Sequence, residues 1–317
     1  MTFMKNDIIN IALANPRGFC AGVERAIVIV EKALKKFGSP IYVRHEVVHN
    51  KFVIEDLKRK GAIFVDNIDE IPKGSHVIFS AHGVSKIVKR DAAKHNLTPI
   101  DATCPLVTKV HREVNQMYDK NYHIIMIGHK GHPEVEGTLG QIEANSPDAS
   151  ICLVESLEDI EKLNIPKSKK ISYVSQTTLS VDDTKTIIDA LKNKYPKIHG
   201  PKGSDICYAT QNRQDAIKQM VGSQDLIIIV GSKNSSNSNR LVEIAKKNGT
   251  HAMLVDDIKD LNLNLLNNTK KIGISAGASA PEQQIQKIID SLKQDKKIII
   301  TEIEGIKENV TFKLPKF

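Results

Sequence analysis

Three cysteines set the frame of this chain of 317 residues. Cys20, Cys104 and Cys207 each stand just before a run with the apolar spacing of a helix: 23–37, 106–118 and 211–220. Pro105 follows Cys104 at the first helical position, where proline's missing N–H costs nothing. Sulfur so placed meets unpaired backbone N–H groups and the positive end of the helix dipole, which favour a thiolate. Counted from each cysteine, the pattern recurs. A strand opens at Ile41, Ile124 and Ile227 and runs into a polar loop at 44–50, 128–136 and 231–239. A helix follows. A second strand then opens at Val77, Ile171 and Ile272 and ends in a small polar loop at 80–83, 175–178 and 275–279. A third helix closes each copy. The stretch 96–101, ahead of Cys104, reads as a turn.

Short β-branched strands alternating with amphipathic helices specify α/β layers with small, mainly parallel sheets. Three similar α/β units are expected, at 1–104, 105–203 and 204–317. The opening strand 8–14 is expected to pair with the third unit, near the closing strand 298–302. The copies do not match residue for residue, so the repeat is architectural. Three such units can close in pseudo-threefold arrangement. Ligands of parallel sheets bind beyond the carboxyl ends of the strands, and every polar loop above sits at such an end. The loops are therefore expected to converge on one cavity.

Composition narrows the function. The formal charge is +8, but the lysines are scattered, tryptophan is absent and aromatics make up 4% of residues. A nucleic-acid platform clusters basic and aromatic side chains, so no nucleic acid is expected as a partner. The longest aliphatic stretch, 226–230, is too short to span a bilayer, and the first ten residues lack a signal-peptide pattern. A cytoplasmic protein without membrane contact is expected, and with it no disulfides. No C-x-x-C is present, which argues against a zinc ribbon, a thioredoxin motif or a clustered ferredoxin run. The dinucleotide and Walker A glycine patterns are also missing. Cys152 lies inside the apolar run 151–154 and reads as a small buried hydrophobe.

Three converging thiolates would hold either zinc, with His82 or His132 as fourth ligand, or an iron–sulfur cluster with one iron left open. In the loop 128–137, Glu134 follows His132 at the spacing H-x-E. Zinc deaminases share that spacing but add P-C-x-x-C, which does not follow here. Shielded from water near a metal, Glu134 is a candidate general acid; Glu136 is the alternative, and either could cap a helix. The Ser/Asn-rich loop 231–240 leads from a strand to a helix and offers hydroxyl, amide and helix-end N–H donors to an anion. Ser279, with Gly277 and Pro281, offers a second cradle. Two other functions stay open on these residues alone. One is a zinc hydrolase of a phosphorylated substrate; the other is a regulator binding RNA or a nucleotide.

The motifs at these loops add a resemblance. Residues 14–23 (ANPRGFCAGV), 42–50 (YVRHEVVHN), 79–85 (FSAHGVS) and 101–109 (DATCPLVTK) resemble those of the 4-hydroxy-3-methylbut-2-enyl diphosphate reductase family. So do 131–137, 176–183, 205–210 (DICYAT), 231–240 and 275–281, so the likeness covers nearly the whole chain. The extension before residue 8 and Cys152 have no counterpart in it. The resemblance implies three α/β domains around a 4Fe-4S cluster held by Cys20, Cys104 and Cys207, with the fourth iron open to the substrate's allylic oxygen. It implies a diphosphate held by His49, His82, Ser235, Ser236, Asn237 and Ser279, with His132 nearby. Thr177 would contact the substrate hydroxyl and Glu134 would supply protons. The implied reaction is reductive dehydroxylation to isopentenyl and dimethylallyl diphosphate, with ferredoxin or flavodoxin as electron donor and a monomer or weak dimer as the working form.

Overall fold

The structure, a computed structural model, describes residues 8–143, 146–166, 168–266 and 269–317. The extension before residue 8 therefore lies outside the described residues. In chain order the elements are β1 (Ile8–Leu13), α1 (Ala21–Phe37), β2 (Ile41–Arg44), α2 (Lys51–Arg59), β3 (Ala62–Val65), β4 (His76–Phe79), α3 (Lys86–Lys94), β5 (Thr98–Asp101), α4 (Pro105–Asp119), β6 (Tyr122–Ile127), α5 (Pro133–Leu139), β7 (Ser150–Val154), α6 (Leu157–Lys162), β8 (Lys170–Ser175), α7 (Val181–Lys194), α8 (Tyr208–Met220), β9 (Leu226–Val230), α9 (Ser236–Lys247), β10 (His251–Val255), α10 (Leu263–Leu266), β11 (Lys271–Ala276), α11 (Glu282–Asp295) and β12 (Lys297–Glu302).

These strands form three separate sheets, with orders β3-β2-β4-β5, β7-β6-β8 and β10-β9-β11-β1-β12. Every pairing is parallel. The architecture is thus α/β with three small parallel sheets. Each sheet shares one three-stranded core. Its first strand (β2, β6 or β9) is flanked by the next two in sequence. Parallel sheets cover both faces with crossover helices, so central strands become continuous apolar runs. β9, Leu-Ile-Ile-Ile-Val, is such a run and is buried throughout.

Two compact units divide the chain. One comprises 1–23, 49–56 and 208–311 and holds the five-stranded sheet; the other comprises 24–48, 57–207 and 312–317 and holds the remaining two. In the first unit, strand alternation sends side chains to two cores. Leu226, Ile228 and Val230 pack with Ile9, Ile11, Ile272, Ile274 and α11 on one side. Ile227 and Ile229 pack with Ile217, Met220, Leu241 and Ile244 of α8 and α9 on the other. In the second unit β6 does the same. Ile125 and Ile127 face α6 and α7, while Ile124 and Met126 face α4 and α5.

The turn expected at 96–101 is corrected by the structure. Asn96 does turn, in the left-handed region at φ 54, but 98–101 forms β5. Pro99 is compatible because β5 is an edge strand, where no ladder partner needs its missing N–H. The strands β3 and β10 are also additional to the sequence expectation. Among the described residues no helix is long and apolar enough to cross a membrane.

Candidate active site

Each of the three cysteines directly precedes a helix: Cys20 before α1, Cys104 before α4 and Cys207 before α8. Cys104 is the N-cap residue, with Pro105 in the first turn. The main-chain N–H of each donates to a loop carbonyl. Cys20 donates to Ala278 at 3.2 Å, Cys104 to Ala81 at 2.9 Å and Cys207 to Thr177 at 3.0 Å. These carbonyls follow β11, β4 and β8. The backbone ahead of each cysteine repeats the relationship: β1 pairs with β11, β5 pairs with β4, and His199 bridges Ser172 of β8. Each cysteine is therefore fastened to a small polar loop that follows a parallel strand.

All four cysteines are thiols, none in a disulfide. Cys20, Cys104 and Cys207 are half-buried. Cys152 sits on β7 against the apolar side chains of α6 and α7, where burial pushes its thiol up.

In the unit carrying β2 to β8, the expected site residues gather in two groups. His82, in the loop after β4, meets His132 edge-on at 5.7 Å between ring centres. His132 is the N-cap of α5, and its Nδ1 accepts the Glu134 N–H at 3.1 Å. The ring's proton is thereby assigned to Nε2. The loop after β4 and α5 can approach because each has a glycine. A Cβ on Gly137 would lie 3.2 Å from the Gly83 carbonyl, and Gly83 itself, at φ +79, packs against the His111 ring.

The second group is Glu134 with Thr177. Glu134 is buried, and its carboxylate accepts the Thr177 N–H at 2.6 Å and the Thr177 hydroxyl at 2.9 Å. Those bonds favour the ionised form. Desolvation outweighs them, and with the Asp205 carboxylate adding to it the Glu134 carboxyl is pushed up to about 7. The acid is thus poised to hold and release a proton near neutrality. Glu136 also lies on α5 but is exposed.

In the other unit, Ser279 donates its hydroxyl to the His49 carbonyl at 2.8 Å. Asn50, the next residue, donates to Gln284 at 2.9 Å and accepts the Val53 N–H at 3.0 Å, which locks the start of α2 behind His49. Ser235 is the N-cap of α9; its oxygen accepts from the N–H and hydroxyl of Ser238, at 3.3 and 3.0 Å. Its own O–H is left to donate. Ser236 opens the helix. Asn237 accepts the Ala278 N–H at 3.0 Å and donates to Thr210 at 3.3 Å. Its amide therefore braces the loop that also bonds Cys20.

Three residues of consequence carry no sequence signal of their own. Arg213, fully buried, donates to the carbonyls of Gly18 and Phe19 and pairs with Glu308. His111 of α4 is buried, which pushes its imidazole down to about 4 and keeps it neutral. Asp205, which stands in the motif 205–210 with no role assigned to it, joins Lys109 at 3.0 Å to the Ser175 N–H at 3.0 Å.

The donor set suits a multinuclear cluster. Three cysteines stand at helix starts, and a cluster distributes its cysteine ligands over separate irons. Among the described residues no three His, Cys, Asp or Glu side chains gather to hold a single ion.

A three-sheet α/β chain with one cysteine at the head of each repeat defines a family. The chain belongs to the LytB protein family, whose model matches residues 11–293. A 4-hydroxy-3-methylbut-2-enyl diphosphate reductase of Nitrosomonas europaea is 56% identical over 315 residues, 98% of this chain and 97% of that one. The solved E-1-hydroxy-2-methyl-but-2-enyl-4-diphosphate reductase of Plasmodium falciparum superposes with a TM-score of 0.89 at 43% identity, covering 98% of this chain and 96% of the other. A second solved reductase, described as the terminal enzyme of the non-mevalonate pathway, gives a TM-score of 0.64 at 32% identity over 90% of this chain and 99% of that one.

Proposed function

We propose that this chain reduces 4-hydroxy-3-methylbut-2-enyl diphosphate, removing the hydroxyl group to give isopentenyl and dimethylallyl diphosphate at the end of the non-mevalonate route. The observation that carries the chemistry is the buried Glu134, near neutrality and bonded twice to Thr177. Loss of hydroxide from carbon needs a proton on the leaving oxygen. The product needs a second proton on carbon. Glu134 supplies protons, and the Thr177 hydroxyl directs the substrate hydroxyl towards it.

Cys20, Cys104 and Cys207 hold a 4Fe-4S cluster in this reading, with one iron free of protein ligands. When bound, that cluster supplies two electrons singly and a Lewis-acidic iron. Ferredoxin or flavodoxin delivers the electrons. The diphosphate is taken by His49, His82, Ser235, Ser236, Asn237 and Ser279, with His132 alongside. Neutral donors and the N-terminal N–H groups of α9 suit a buried anion, since surplus cations would be costly to desolvate. Ser279 must turn its hydroxyl away from His49 to donate to phosphate. Excluding water protects the reactive allylic species from side reactions.

The units 1–104, 105–203 and 204–317 are the three repeats of this scheme, and the protein works in the cytoplasm as a monomer or weak dimer. The test is anaerobic purification, iron and sulfide analysis, and turnover with a chemical reductant followed by mass spectrometry of the products. Iron approaching four per chain together with both five-carbon diphosphates is the expected result. A colourless protein that contains zinc and accepts no reconstituted cluster would overturn the reading.

A further inference from the structure

Asp205 lies behind Glu134, two residues before Cys207, with no side-chain exposure. One of its oxygens accepts the Ser175 N–H at 3.0 Å, at the end of β8. The other faces the Lys109 ammonium at 3.0 Å, on the second turn of α4, the helix that begins at Cys104. Two residues further along each strand of this contact, the Cys207 N–H donates to the Thr177 carbonyl at 3.0 Å. Thr177 in turn donates twice to Glu134. An unbroken set of bonds thus runs from the Cys104 helix through Lys109 and Asp205 to Thr177, with the Cys207 loop attached on one side and Glu134 on the other.

We propose that Asp205 is a positioning residue for the acid site: one buried carboxylate holds Thr177, and through it Glu134, in register with the Cys207 loop and the helix that begins at Cys104. The proposal rests on the reading of Glu134 as the proton donor and deepens it. Asp205 also has an electrostatic part. Among the described residues, Asp205 beyond Thr177 is the charged group that acts on Glu134. His132 caps its helix and accepts the Glu134 N–H, His82 faces His132, Glu136 lies further along the same helix, and the Cys207 N–H donates to the Thr177 carbonyl. Lys109 and Glu113 stand behind Asp205. Among these, Asp205 adds to the burial that favours the protonated acid. Lys109 offsets that charge from the far side. Burial and the neighbouring Asp205 push the Glu113 carboxyl up, and Lys109 opposes them.

Two substitutions separate this from a merely structural role, because they move the proton affinity of Glu134 in opposite directions. Asp205→Asn keeps an acceptor for Ser175 but removes the charge, so Glu134 should titrate lower. Lys109→Gln leaves Asp205 uncompensated, so Glu134 should titrate higher. Each shift should be about one pH unit, the scale of a single nearby charge. The readout is an infrared titration of the Glu134 carboxyl on the full-length purified protein, assigned by its loss in Glu134→Gln. The pH profile of substrate reduction is measured beside it.

Shifts of opposite sign support the proposal. Shifts of the same sign, or none, in folded variants overturn it. Lys109 is part-exposed and its variant should fold, so that variant alone decides the matter if Asp205→Asn does not fold; an unmoved titration then overturns the proposal. If the carboxyl shifts as described but the activity profile does not follow, Asp205 is upheld and the assignment of Glu134 as proton donor falls.

Discussion

The buried guanidinium of Arg213 holds the carbonyl oxygen of Gly18, at 3.0 Å from Nε and 2.7 Å from Nη2. It also reaches the Phe19 carbonyl at 3.2 Å, immediately before Cys20. Glu308, from the segment after β12, balances the charge at 3.0 Å. Breaking a buried ion pair on one side leaves the other charge stranded. Glu308→Ala should therefore cost about 3 kcal/mol in chemical denaturation. Replacing both partners by apolar residues should cost less than Glu308→Ala alone. A double variant as unstable as the sum of the two single ones would contradict the pairing.

Glu134→Gln removes the acid while keeping its shape. Turnover should fall about a hundredfold or more, the usual contribution of a general acid, with substrate affinity retained. Stability offers an independent check. A carboxyl raised by the fold from its ordinary 4.5 to about 7 is held in its neutral form. The folded state therefore binds the proton more tightly and loses stability as pH climbs between those values. The loss is on the order of 3 kcal/mol. In the glutamine variant this decline should vanish from thermal or urea unfolding measured between pH 4.5 and 7.

His111 should produce the opposite slope. Its imidazole is neutral in the fold and pushed down to about 4 by burial, against an ordinary 6.5. The stability that comes from burying the neutral ring is complete above 6.5 and is lost as pH falls through 4. His111→Gln should flatten the acid limb of an unfolding series run from pH 7 to pH 4. An unchanged limb would mean that His111 is not the group responsible.

The loop that carries His82 and the helix that His132 caps are pressed together at Gly83 and Gly137. A methyl group on Gly137 would meet the Gly83 carbonyl at 3.2 Å, too close without a backbone shift. Gly137→Ala should destabilise the protein by about 1–2 kcal/mol and raise KM more than it lowers kcat. A kcat defect with KM unchanged would show that the two histidines do not serve substrate binding.

Cys152→Ser should leave iron content untouched. The thiol belongs to the apolar layer between β7 and its covering helices. The cost should appear only as a loss of stability of about 1–2 kcal/mol from a buried hydroxyl. Loss of iron would show that the three-cysteine set is incomplete.

Much of the fold is legible because it depends on local pattern. Apolar periodicity distinguishes the helices after Cys20, Cys104 and Cys207, and β-branched runs such as Leu226–Val230 can only be central parallel strands. The α/β class with three small parallel sheets follows from that alternation. β5 escapes because its four residues include a proline and follow a turn at Asn96, so composition argues for a loop and only edge pairing with β4 makes a strand. The polar loops advertise donors by residue type. What they cannot advertise is commitment. Asn237 and Ser279 look like ligand donors in sequence, and in the fold their polar groups already bond Ala278, Thr210 and His49. Arg213 and Asp205 are invisible for a related reason, since their meaning comes from partners distant along the chain. The signal that could have found Asp205 is an acidic residue two places before a cysteine, flanked by an isoleucine that needs burial.

The insertion of β1 between β11 and β12 has a consequence for the order of biosynthesis. β1 is an interior strand of its sheet, and both its neighbours are made long after it. Until they emerge, its apolar face has no cover and the amide of Cys20 has no Ala278 to bond. The loops that fasten Cys104 and Cys207 meet no such delay, because Ala81 and Thr177 are translated before the cysteines they hold. Nascent chains should therefore protect Cys104 and Cys207 from thiol-reactive probes while Cys20 still reacts, and Cys20 should become protected only once the segment carrying Ala278 has emerged.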